Sequence, residues 1–145
     1  MIQRIQSIFL FLAAASFLCH FLFPFASSDQ ATATFFADGA YSIQDNMGML
    51  IMAVLGGLLA LVAIFMFKKR GIQLRLSYLV IVLSILLPVL AILLFFNAGH
   101  TMNSLDKVED GIGLYLPIAS ILFTALAIRY IRSDDKLVKS MDRLR

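Results

Sequence analysis

Charge is what this chain has least of. Only 14% of its 145 residues are Asp, Glu, Lys or Arg, against about a quarter in ordinary soluble domains. Two stretches, residues 47–67 (MGMLIMAVLGGLLALVAIFMF) and 76–96 (LSYLVIVLSILLPVLAILLFF), hold none at all. A core helix of a soluble protein is apolar along one stripe; these are apolar all round, which excludes water as their solvent and leaves lipid. Cysteine is nearly absent too: Cys19 alone allows neither an internal disulfide framework nor a multi-cysteine metal site. No phosphate-binding glycine loop, nucleophile elbow or metalloprotease helix motif occurs, so no enzyme class is indicated and no cofactor is expected.

What is present is apolar length. Hydrophobic residues make up 61% of the chain and its mean hydropathy is +0.90. Each charge-free stretch, as a helix, is about 31 Å long, one hydrocarbon thickness. Two further runs qualify, residues 7–25 (SIFLFLAAASFLCHFLFPF) and 112–130 (IGLYLPIASILFTALAIRY). The first, with Arg4 before it and Ala26-Ser27-Ser28 after it, also fits a cleavable signal peptide. Its length favours a retained span, the reading we adopt. The expectation is an all-α integral membrane protein, a four-transmembrane-helix bundle over residues 1–132 followed by a charged tail over 133–145.

Charge sets the orientation. Lys68, Lys69 and Arg70 crowd the turn between the two central spans, with Arg75 just beyond. If that turn and both termini are cytoplasmic, eleven Lys and Arg lie inside and only Lys107 outside, as the positive-inside rule requires. The orientation implied is a multi-pass chain with its N- and C-termini in the cytoplasm.

Outside the spans, residues 26–46 (ASSDQATATFFADGAYSIQDN) hold the one strand-like signal. Asp38-Gly39, a pair suited to positive φ, stands between residues 31–36 and 40–43, so a short outer-face β-hairpin between helices 1 and 2 is expected, carrying Phe35, Phe36, Asp38, Gly39 and Tyr41. A polar loop is the alternative. In the tail, Leu137, Met141 and Leu144 fall at i, i+4 and i+7 beside Lys136, Lys139 and Arg143. A helix starting at Ser133 would present one apolar stripe and a basic flank to anionic lipid or a protein partner; otherwise the tail is frayed and only enforces orientation. Within the spans, Ala53 with Gly57 and Gly56 with Ala60 set small residues four apart, a face for close helix packing inside the bundle or against a partner. Pro88 is expected to kink its helix and free the Ser84 carbonyl for Ser77, Tyr78 or a neighbour.

The opening Met1-Ile2-Gln3-Arg4-Ile5-Gln6 and the ending Asp134-Asp135-Lys136-Leu137-Val138-Lys139-Ser140-Met141-Asp142-Arg143-Leu144-Arg145 resemble a bacterial family of small four-span inner-membrane proteins catalogued only as a domain of unknown function. The resemblance implies four helices and no assigned activity, and brings no catalytic or ligand-binding residues.

Ionisable groups in the spans are scarce. His20 lies near the outer end of its run, where an imidazole reaches headgroups or water, and no second ligand accompanies it. The trio Asp106, Glu109 and Asp110 lacks the spacing of a calcium loop and reads as a solvated surface. Two function classes remain. The first is a non-enzymatic accessory or scaffold protein that meets lipids and a protein partner, or itself, with no nucleic acid. The second is a small transporter, channel subunit or membrane enzyme with a cavity lined by Ser84, Ser120, Thr124 and His20.

Overall fold

The computed structural model describes residues 3–28, 39–97 and 109–142, with backbone alone at 3, 4, 139, 141 and 142. Four helices, α1 (Gln3–Cys19), α2 (Met47–Phe65), α3 (Arg70–Asn97) and α4 (Leu116–Asp142), run alternately up and down. Each packs on its neighbours in sequence and α1 closes the ring against α4, the arrangement that short connections favour.

Helix boundaries follow local chemistry. The expected first span, 7–25, is shifted: α1 starts at Gln3 and stops at Cys19, because Pro24 holds the residue before it out of the helical region. There the His20 amide bonds to the Phe17 carbonyl, a tighter turn. That leaves the Ser16 carbonyl to the His20 ring, whose Nδ1 donates to it at 2.9 Å, so the side chain caps its own helix. Asn46 caps α2 through Oδ1, which accepts from the Gly48 amide at 2.8 Å. A 3-10 turn, Ile43–Asp45, precedes it with a capping box between Ser42 and Asp45. The 27 residues of α4 continue unbroken past Arg132, so no new helix begins at Ser133 and the tail is an extension of the last span.

Among the described residues, strands form only where the helices meet at one end. β1 (Ala26–Ser27) is the centre of a three-stranded antiparallel sheet, flanked by β2 (Ala40–Tyr41) and β3 (Glu109–Asp110). Ala26 faces Tyr41 and Asp110. The described partner of Ala40–Tyr41 is therefore Ala26–Ser27, not a strand across Asp38-Gly39; residues 31–36 and Asp38, with Phe35 and Phe36, lie outside the described residues. Gly39 adopts φ +78°, which suits glycine. A third strand was not anticipated. It forms because the Gly111 amide reaches the Phe25 carbonyl and the Gly113 amide the Pro24 carbonyl, both at 2.9 Å. A Cβ on either glycine would run into the Pro24 carbonyl.

The interior shows one rhythm in all four helices. Buried positions step by four and three: Gln6, Leu10, Ala13, Phe17 and His20 on α1; Met49, Ala53, Gly56, Ala60 and Ala63 on α2. The same steps place Gln73, Ser77, Val80, Ser84, Leu87 and Ala91 inside on α3 and Ser120, Thr124, Ala127, Ile131 and Asp134 inside on α4. A period of 3.5 residues gives a left-handed bundle. Among the described residues every buried serine lies on that seam, save Ser16, while large apolar side chains such as Phe11, Leu55, Leu58, Val82, Leu93 and Leu122 are exposed. Three helical stretches, Met47–Lys68, Arg70–Asn97 and Ile112–Val138, are long and apolar enough to cross a membrane.

Contact on this seam is close at Gly56, whose missing side chain leaves room for the Phe17 ring. Helix propensity alone would make Gly56→Ala stabilising by about 1 kcal/mol. The added methyl collides with a buried ring, and overpacking of about 1–3 kcal/mol outweighs that gain. Gly71, with nothing within 4 Å of such a Cβ, is the control. Thermal unfolding in detergent is expected to show Gly56→Ala less stable than the parent and Gly71→Ala equal or slightly more stable.

Candidate functional site

The two ends of the bundle differ in chemistry. Lys68, Lys69, Arg75, Arg129, Arg132 and Lys136 are exposed at one end, here the basic end; Asp45, Glu109 and Asp110 are exposed at the other, the sheet end. Between them the polar seam closes on itself. Ser84 Oγ donates to the Val80 carbonyl at 2.8 Å, which uses its one proton, so Ser120 Oγ donates to Ser84 across 2.9 Å. Ser77 Oγ bonds back to the Gln73 carbonyl, and the Tyr78 hydroxyl is engaged by Arg132. Neither Ser77 nor Tyr78 is thus directed to the Ser84 carbonyl below Pro88.

The basic end contains buried side chains without partners. Gln6 is 1% exposed, Gln73 0% and Asp134 6%, and Nε2 and Oε1 of both glutamines and Oδ2 of Asp134 make no hydrogen bond. Helix register places the three together. The Phe9 and Tyr130 rings stack at 5.6 Å; Gln6 lies three residues before Phe9 and Asp134 four after Tyr130 on antiparallel helices, so their heights agree to about 1.5 Å. From the Ser84–Ser120 bond, Gln73 and Asp134 differ in height by about 4.5 Å, less than one turn. The layer beneath the Leu10, Ala63 and Ala127 cluster is therefore polar and buried. Leaving five such atoms unpaired costs about 1–3 kcal/mol each, comparable to the stability of a whole domain, about 5–15 kcal/mol.

The surface of α4 at this end carries a groove of about 390 Å³ lined by Ala125, Ile128, Arg129, Arg132, Ser133 and Lys136. One turn further, Leu137 is 51% exposed. The backbone of α4 carries Lys139 and Met141 along the same extension, whereas Arg143 and Leu144 lie outside the described residues.

At the sheet end His20 is 2% exposed, enclosed by Phe17 and Phe25, the latter ring 5.2 Å away. It does not reach water or headgroups as its position in the chain suggests, because the chain folds back over it after Pro24. Since a carbonyl only accepts, Nδ1 carries the ring proton, and Nε2 is buried without a partner. Tyr41 packs between Phe25 and Phe95, and its hydroxyl donates to the Ala91 carbonyl at 2.9 Å, fastening β2 to α3. Beside it a cavity of about 310 Å³ opens between Pro88, Ile92, Phe96, Leu114 and Asp110. Ala53, Gly56, Gly57 and Ala60 are buried, and Ala53 and Ala60 share a core with Phe17 and Ala14.

A family model, described as Domain of unknown function (DUF4293), matches residues 2–144. The chain belongs to this family. No curated protein and no solved structure matches it. Membership agrees with the resemblance carried by the two chain ends; Gln6 and Asp134, one from each, lie at one height in the buried layer of the basic end. Reading the chain did not single out Gln6, Gln73 or Asp134. The signal available was position: each continues, by steps of four or three, the small and polar face formed by Ala13, by Ser77 and Ser84, or by Ser120 and Thr124.

Burial of the Tyr41 hydroxyl, with the Asp45 carboxylate adding to it, raises its pKa from 10.0 to about 12. A raised folded-state pKa means the Tyr41 contribution is intact below pH 10 and is lost as pH climbs toward 12. Stability of the sheet end is expected to be flat up to the first value and to fall above it, followed by tyrosinate absorbance. Tyr41→Phe is expected to remove that fall and costs about 0.5–1.5 kcal/mol for the lost bond.

Proposed function

We propose that this chain is a multi-pass protein of the bacterial inner membrane with both termini and the Lys68–Arg75 turn in the cytoplasm, and that it acts as a non-enzymatic accessory or scaffold subunit. Three long apolar helices and an exterior of Leu, Ile, Val and Phe around an interior holding the serines support membrane insertion. The basic residues gathered at one end support the orientation.

The observation that carries the role is the unbroken course of α4 through Asp142, ten residues past Arg132. A helix anchored in the bundle holds Lys136 and half-exposed Leu137 on a rigid arm, a form suited to docking a partner helix or an anionic lipid surface. Ser84 and Ser120 bond each other rather than face a void, which favours this reading over transport through the bundle.

Changing Leu137, Met141 and Leu144 together to Ser is expected to abolish co-purification of a stoichiometric partner from gently solubilised native membranes while the thermal midpoint of the bundle stays unchanged. A bait that runs alone before any substitution contradicts the scaffold role. Orientation is checked separately: in a Cys19→Ser background, Ser140→Cys is expected to react with a membrane-impermeant maleimide only after the cells are opened.

A further inference from the structure

The buried layer at the basic end has the chemistry of a ligand site. We infer that Gln6, Gln73 and Asp134 bind one monovalent alkali cation, with the two carboxamide oxygens and Asp134 Oδ2 as protein ligands and water completing the shell. Each of these oxygens is buried and unpartnered, and the three side chains sit within about one helical turn of one another on the inward face of three helices. A carboxylate taken out of water needs a positive charge or a set of donors. Asp134 has neither within bonding distance of Oδ2.

The valence follows from the donor set. Dedicated calcium sites gather several carboxylates, and no group of three His, Cys, Asp or Glu suited to a metal occurs among the described residues. One carboxylate with two neutral amide oxygens balances a single positive charge. The surrounding Lys68, Lys69, Arg75, Arg129 and Arg132 are exposed and screened by salt over roughly 8–10 Å, whereas Asp134 acts at contact distance in a buried setting. Such an ion ties α4, the arm-bearing helix, to α1 and α3, so occupancy governs how firmly that arm is held.

The test is thermal unfolding of the full-length protein in mild detergent with sodium, potassium or choline chloride at equal ionic strength. The midpoint is expected to rise saturably with sodium or potassium and not with choline. The rise vanishes in Asp134→Asn and shrinks in Gln73→Leu, and it survives in Asp135→Asn, which removes the same charge one residue away. Should Asp134→Asn fail to fold, sodium NMR line broadening by the parent protein, reversed by potassium, supplies the supporting result. Equal midpoints in all three salts with unbroadened sodium lines overturn the inference, whether the layer then holds water alone or is dry.

Discussion

The bundle depends on the Phe17 ring seated over Gly56. When the outside of a helix is as apolar as Leu55, Leu58 and Val62 make it, burying a large side chain gains little, and helices are held by how closely their backbones approach. Small residues at steps of four and three on α2 admit α1, most closely at Gly56. The serines complete the scheme. Inside a left-handed seam Ser84 and Ser120 each find a partner without leaving the bundle, where on the apolar outer face, among side chains such as Leu55 and Leu58, they would find none.

The ends then diverge because different groups must be satisfied there. At the sheet end two connections converge, and backbone groups of Pro24, Phe25, Tyr41, Gly111 and Gly113 bond one another, so a sheet of two-residue strands clasps the helix ends. Tyr41 bolts this clasp to α3. At the basic end there is no clasp. The layer is made of Gln6, Gln73 and Asp134, whose polar atoms do not satisfy each other, and α4 leaves the bundle from it. An end fastened by backbone bonds, where His20 Nε2 is unpaired, and an end with five unpaired side-chain atoms suit different tasks, fixed structure in one case and binding in the other.

Much of this was legible before any coordinates. Charge-free runs located α2 and α3 to within a few residues at most boundaries, since a continuous apolar stretch needs no neighbour to define it. The end of α1 was misplaced because apolarity continues through Phe21 and Phe23 while the backbone, constrained by Pro24, does not. The pairing of Ala26 with both Tyr41 and Asp110 has no local turn signal to announce it, because its partners are far apart in the chain; the strand expected across Asp38-Gly39 lies outside the described residues. The seam was hidden for another reason: all faces of α2 and α3 are apolar, so hydrophobicity shows no period, and only the small and hydroxyl residues carry it.

The sequence by itself determined the all-helical class, the number of helices, the segregation of basic from acidic residues and the family, because these are sums over neighbouring residues. Only the tertiary structure decided which groups are buried together. Gln6, Gln73 and Asp134 are separated by most of the chain, and each alone is an ordinary polar residue near a helix end. Packing α1, α3 and α4 at one register removes all of them from water at once, a consequence of geometry that no local pattern encodes.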